Sequence, residues 1–293
     1  MLPSTFCHLS GIGTGTERRL WEEGYLGWDE LARADHARLH LPHTPSLVGD
    51  LARTREEFAC GNWEYFRQGL RSTEYWRLFP YVRARTAYFD IETTDLGRSD
   101  THITTIALYD GVCIQHFVYG ENLDDFPAAL SRYQAIVTYS GKCFDVPFVE
   151  KYFGITVPHF HLDLRYVLAS LGYKGGLKGA EKALGISRGG LDGVDGFFAV
   201  LLWKEYNRTG NRRALETLLA YNIEDVVNLE KLACIAYNLK LRQTPVAPRY
   251  SLCEESAPHC RLPFTADEDI LMRLARRVGR RLGRAECDEY PST

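Results

Sequence analysis

Apolar and polar positions divide the chain into three stretches. Over the first eighty residues apolar positions recur at helical spacing, and no segment alternates as a strand does. Leu20, Trp21 and Tyr25 form one such stripe after the turn Gly11-Ile12-Gly13, with Thr16 as the expected cap. Trp28 opens a short helix, and helical spacing continues over 47–59 and 63–70. Near Pro80 the period changes. Residues 85–93 and 102–109 read as strands, and 112–119 as the antiparallel partner of the second. Asp110-Gly111 is the expected two-residue hairpin turn between them. Helix follows over 124–133, a short buried strand over 135–140, helix over 146–153 up to Gly154, and a last short strand over 158–162. The rest reads as helix: one capped by Asp163, then 177–184, 197–206 and 212–238.

A three-strand meander followed by strand–helix alternation predicts an α/β fold, a mixed sheet with helices on both faces. The expected division is a helical segment 1–80, the α/β domain 81–240 and an extension 241–293. The extension is proline-rich from 243 and ends in a helical stretch over 266–282. There Ile270, Leu271, Leu274, Val278 and Leu282 share one face. Arg273, Arg276, Arg280 and Arg284 lie opposite, with Arg277 and Arg281 at the stripe's edge. That is either a docked helix with a solvated face or a phosphate-contacting patch.

Composition narrows the function classes. The 293 residues carry a net charge of −3, so the chain is not a basic nucleic-acid coat, and a polyanion would be held by local patches. The start shows no charged leader or long apolar run, and the most apolar stretch, 197–203, is too short to span a bilayer. The 8 cysteines form no C-x-x-C pair and read as reduced thiols of a cytoplasmic protein. Cys253, His259, Cys260 and Cys287 can be drawn as a zinc site, but their spacing fits no standard knuckle.

Candidate chemistry sits in Ala87-Tyr88-Phe89-Asp90-Ile91-Glu92-Thr93-Thr94. Strand side chains alternate, so Asp90 and Glu92 face the same way at the end of a buried strand. Two such carboxylates repel unless a cation lies between them, and a hard divalent ion bound through oxygen suits them. By itself the triplet also describes a solvated strand end. Further acids change the picture. Asp145 follows the strand 135–140 at the start of a helix, where it could equally be a plain N-cap. Tyr221 and Asp225 lie one turn apart on a late helix that should pack on the sheet, where an unpaired carboxylate is costly.

These segments, Phe-Asp-Ile-Glu-Thr-Thr, then Phe-Asp at a helix start, then Tyr-x-x-x-Asp, resemble the DEDD exonucleases, whose fold is ribonuclease H-like. The tyrosine resembles the DEDDy branch. The resemblance covers about 85–238, and the wider chain is similar to bacterial ribonuclease H-like proteins in which a Gly-Ile-Gly turn precedes the nuclease domain. The family's second motif often carries asparagine a few residues before the aspartate, where this chain has Ser140.

The resemblance implies a 3′→5′ exonuclease that releases nucleoside 5′-monophosphates from DNA or RNA with a single-stranded 3′ end. It implies two Mg²⁺ or Mn²⁺ ions held by Asp90, Glu92, Asp145 and Asp225, about 3.5–4 Å apart. Tyr221 would position the attacking water. Thr93, Thr94 and Phe144 are candidates for contacting the terminal nucleotide, against the plainer roles of strand cap and core residue. Asp163 is a candidate extra ligand but more simply a helix cap, and His102 and His161 read as ordinary strand histidines. Lys174, Lys178 and Arg188 lie near glycines, either as solvated loop charges or as phosphate contacts. The Gly11–Gly13 turn resembles a helix-hairpin-helix, with a helical cap on the nuclease domain as the alternative. Three rival functions share the fold: a binding module, a structure-selective endonuclease, and a phosphodiesterase for very short oligonucleotides.

Overall fold

The computed structural model describes residues 1–35, 39, 41, 44–95, 101–188, 191, 193–252 and 261–279. Helices α1 (Thr14–Glu22), α2 (Trp28–Ala32), α3 (Thr44–Ala59), α4 (Trp63–Gly69) and α5 (Phe79–Val82) come first. Strands β1 (Thr86–Thr93), β2 (Ile103–Tyr109) and β3 (Ile114–Val118) follow, then α6 (Phe126–Leu130), β4 (Ala135–Thr138), α7 (Asp145–Phe153) and β5 (Phe160–Asp163). The chain continues through α8 (Leu164–Ser170), α9 (Gly176–Ala183), α10 (Gly196–Thr209), α11 (Arg212–Arg242), α12 (Ala247–Tyr250) and α13 (Glu268–Arg277). No helix among the described residues is long and apolar enough to cross a membrane. Two compact units result: Met1–Ala84 with Tyr166–Gly172 and Ala233–Glu255, and Arg85–Arg165 with Tyr173–Leu232 and Ser256–Thr293.

The first unit is helical, as its spacing predicts. Its interior is organised by Glu17, whose carboxylate is fully buried and accepts the amides of Phe6 at 2.6 Å and Cys7 at 3.1 Å. Arg77, also buried, donates to Glu17 at 2.7 Å and to Glu74 at 2.8 Å. The expected Thr16 cap is corrected. The helix begins at Thr14 with Gly13 as its N-cap, whose extended backbone (ψ 176°) takes the turn into the helix, so Thr16 lies inside the first turn. Only one 3₁₀ turn, Leu2–Ser4, precedes the Gly11–Gly13 turn.

The second unit carries a five-stranded sheet of order β3-β2-β1-β4-β5. The β1–β2 and β2–β3 pairs are antiparallel, and β1–β4 and β4–β5 are parallel. This is the mixed sheet expected from the sequence. Central β1 is covered on both faces, which explains its nearly unbroken apolar run. Ala87, Phe89 and Ile91 enter a core with Ile106, Phe117, Phe126 and Val149, drawn from β2, β3, α6 and α7. Tyr88, Asp90 and Glu92 point to the other face, where α10 and α11 pack. Burying one face wholly in apolar contacts fixes the register, since a one-residue slip would put both acids into that core.

The hairpin after β2 is shifted by one residue from its expected place. Its tip is Gly111-Val112, with Gly111 at φ 91°, and Asp110 bonds back to the Cys113 carbonyl. Asp110's carboxylate accepts the amides of Val112 at 3.0 Å and Cys113 at 2.7 Å. The aspartate thus closes the turn with its side chain. The terminal helix spans Glu268–Arg277. Arg280, Arg281, Leu282 and Arg284 lie outside the described residues, as do Cys253, His259, Cys260 and Cys287.

Replacing Glu17 with alanine leaves the buried Arg77 guanidinium with Glu74 as its one acid and removes the acceptor of the Phe6 and Cys7 amides. The expected cost is about 3–5 kcal/mol, read from urea unfolding. A loss below about 1 kcal/mol would contradict the assigned role.

Candidate metal centre

Three elements deliver the acids. Strand β1 places Asp90 and Glu92, with a bulge at Glu92/Thr93 where its pairing with β2 shifts. Asp145 is the first residue of α7, and its carboxylate accepts the Ile91 amide at 3.1 Å. Helix α11 supplies Tyr221 and Asp225 from one face. Asp90, Glu92 and Asp225 each offer an oxygen within 4.8 Å of the others. With Asp145, Tyr221 and Phe144 they line an open cleft of about 520 Å³.

Like charges this close are unfavourable in a partly desolvated place. Burial first, and then the neighbouring carboxylates, push Asp90 and Glu92 well above the ordinary carboxylate range. Asp145 is pushed up to about 7, by burial against the opposing effect of the Ile91 amide. Burial also raises the Tyr221 phenol, with the carboxylates of Asp225, Glu92 and Asp90 adding to it.

Two cations offset part of this charge. Arg188 is 6% exposed and pairs with Asp225 and, at 2.6 Å, with Glu181. Lys178 donates to the Tyr221 hydroxyl at 3.0 Å and to the Val194 carbonyl. Burial lowers the Lys178 pKa, opposed chiefly by Asp225. Of the alternatives for these residues, neither solvated charge nor free phosphate contact describes Arg188. The arginine is consumed by two acids. Asp90 accepts a hydrogen bond from Asn222 at 2.9 Å. Glu92 has no hydrogen-bond donor among the described residues. The residual negative charge, the all-oxygen donor set and its opening to solvent fit a hard divalent cation.

Other sequence candidates fall into place around this set. Phe144 lines the cleft while packing against Phe148, with ring centroids 5.8 Å apart. Thr93 and Thr94 do not line it. The Thr93 hydroxyl bonds to the Asp95 carbonyl at 3.4 Å, and the Thr94 hydroxyl accepts the His102 amide at 3.2 Å. Asp163 accepts the amides of Arg165, Ser140 and Lys142, at 3.0, 2.9 and 3.0 Å. It therefore caps α8 and fastens the β4–α7 loop, and its oxygens are committed to backbone. His161 bonds to Thr138 at 2.8 Å and is held neutral, its pKa lowered to about 3 by burial.

That loop is tightly specified. Ser140 adopts φ 69°, a left-handed backbone that asparagine tolerates better than serine. At Gly141 an added Cβ would lie 2.2 Å from the Thr138 hydroxyl oxygen, so only glycine fits.

Sequence reading missed Asn222 altogether. Its amide bridges strand and helix, accepting from the Thr105 hydroxyl at 3.2 Å while donating to Asp90. The available signal was an amide placed beside Tyr221 and one helical turn before Asp225.

Comparison with known proteins follows the same lines. A family profile described as RNase_H superfamily matches residues 87–237. Among curated proteins no match is found. A solved family B DNA polymerase from the hyperthermophilic archaeon Pyrobaculum calidifontis is similar at 18% identity and a TM-score of 0.42. The likeness covers 71% of this chain and 31% of the polymerase, so the chain spans under a third of that protein's length.

In EDTA, Asp90→Asn should melt above the wild type, because it removes one of the crowded charges. A carboxyl whose pKa rises on folding holds its proton more tightly when folded. For Asp90 that contribution is full below the unfolded pKa of about 4 and is lost as pH rises through its raised folded value. The gap between variant and wild type should therefore widen from pH 5 to pH 8. Adding Mn²⁺ should stabilise the wild type and not the variant. A variant less stable than wild type in EDTA at pH 8 would contradict the crowding.

Proposed function

The chain belongs to the RNase H superfamily, and on that premise we propose that it is a metal-dependent 3′→5′ exonuclease of DNA or RNA. The observation that carries the proposal is the convergence of Asp90, Glu92 and Asp225 on one cleft, with Asp145 and Tyr221 at its wall. Asp90, Glu92 and Asp225 would hold one Mg²⁺ or Mn²⁺, and Asp145 would help Asp90 with a second. Such ions acidify water and offset charge on phosphate oxygens.

The chain's own residues supply the geometry. Asn222 holds Asp90, and the Ile91 amide holds Asp145, so two of the acids are oriented before any ligand arrives. Arg188 orients Asp225 from the side of Glu181. Tyr221 stays protonated, because burial and the nearby carboxylates oppose its ionisation. Its hydroxyl accepts from Lys178 and keeps its own hydrogen to direct at a water or a phosphate oxygen. Phe144 presents a ring at the cleft wall on which a terminal base would stack.

The test uses 3′-labelled and 5′-labelled single strands of DNA and RNA with Mn²⁺, Mg²⁺ or EDTA. Metal-dependent release of mononucleotides from the 3′ end is expected. Asp90→Ala should abolish it, and Tyr221→Phe should slow it by about 10²- to 10³-fold without removing metal binding. Cleavage of a circular substrate would instead make the protein an endonuclease. Binding without cleavage under every condition would make it a binding module.

A further inference from the structure

Helix α10 joins the cleft to a second feature. Asp195 and Gly196, at its N-terminus, line the cleft. From Gly196 to Glu205 it rises about 14 Å and reaches a group of arginines. Arg208 meets Glu205 at 2.9 Å and Arg273, from α13, meets the same carboxylate at 3.0 Å. Arg277 acts on Glu205 as well. Arg212 and Arg213, at the start of α11, face Glu121 at 2.5 Å and Asp267 at 3.7 Å. Arg276 is exposed on the same helix end as Arg277.

This is an unequal pairing. The Glu205 side chain is 7% exposed, whereas those of Arg208, Arg213 and Arg273 are 63%, 77% and 59% exposed. The acid lies beneath and the guanidinium groups face outward. The exposed acids of α13, Glu268 and Asp269, sit in its first turn, at the opposite end from Arg276 and Arg277. Around Glu205 the side chains that face solvent are those of Arg208 and Arg273, although the whole chain carries −3.

Between cleft and arginines stands an aromatic step. Tyr119 is 45% exposed and packs on His102 with ring centroids 4.3 Å apart and the rings tilted by 36°. Buried Trp203 of α10 meets Tyr119 edge-on at 6.4 Å and fixes it against the helix. The Thr94 amide, two residues beyond Glu92, donates to the His102 carbonyl, so the step sits past the end of β1 that carries the acids and outside the cleft lining.

We infer that α10 carries a track for a single nucleic-acid strand, which leaves the cleft over the His102–Tyr119 step and crosses the arginines. This rests on the nuclease reading and adds a length requirement to it. At about 3.4 Å per stacked nucleotide, the distance corresponds to roughly four nucleotides. Exposed aromatics followed by arginines on backbone phosphates are the means by which a strand is held without sequence preference. A phosphodiesterase confined to very short oligonucleotides would have no use for them.

The test is fluorescence anisotropy in EDTA, comparing a labelled trinucleotide with a labelled 12-mer. The full chain should bind the 12-mer at least tenfold tighter, with an affinity that falls steeply with salt. In R213E/R276E/R277E that advantage should vanish, and in the milder R213Q/R276Q/R277Q the salt slope should fall by about one per arginine. Tyr119→Ala should weaken 12-mer binding about tenfold. Melting curves establish that the variants are folded. Equal wild-type affinity for both lengths, or full 12-mer affinity in the folded glutamate variant, would overturn the track. Hydrolysis of the trinucleotide by wild type with Mn²⁺ reads the nuclease proposal separately. Hydrolysis without a length effect sinks only the track, and a length effect without hydrolysis sinks only the nuclease.

Discussion

Mutual repulsion among Asp90, Glu92, Asp145 and Asp225 is the constraint around which the second unit is arranged. A sheet that buries one face of β1 completely has to turn Asp90 and Glu92 to the other, and α11 then brings a further carboxylate to the same place. Left alone, such a group would take up protons or push apart, and the pKa values of Asp90 and Glu92 are raised by burial first and by the neighbouring carboxylates after it. The surrounding residues restrain it. Asn222 ties α11 to β1, the Ile91 amide receives Asp145, and Arg188 takes up Asp225. The remaining charge opens onto a cleft rather than into the core, which is where a cation can reach it.

A buried arginine beside a metal ligand is at first sight a competitor for the metal. Here it has two acids to satisfy. Glu181 is 1% exposed and also accepts from Asn228 at 2.9 Å, so Arg188 is required on that side whatever occupies the cleft. Glu181, Arg188 and Asn228 form a small polar support under Asp225. Support of this kind orients a ligand, and losing it typically weakens metal sites by about 10–100-fold.

Much of this was legible in the sequence. The period change near residue 80 located the sheet, and alternation along β1 put Asp90 and Glu92 on one face. The Tyr221–Asp225 spacing placed both on one side of a helix. These features are local, and a strand or a helix turn converts them directly into geometry. Contacts between distant segments were not legible. Asn222 meets Asp90 across 132 positions and Arg188 meets Asp225 across 37, and no local pattern announces either pair. The two turn-level departures have a different origin. Gly13 displaced Thr16 as a cap, and the Asp110 side chain moved the hairpin tip by one residue, because several nearby residues can satisfy the same backbone groups.

Diffraction from crystals soaked in Mn²⁺, recorded for its anomalous signal, tests the central claim most directly. The account predicts a peak bound by oxygens of Asp90, Glu92 and Asp225, lost in Asp90→Asn crystals treated in the same way. No peak in the cleft at millimolar Mn²⁺, with the carboxylates instead neutralised by Lys178 and Arg188 alone, would contradict it.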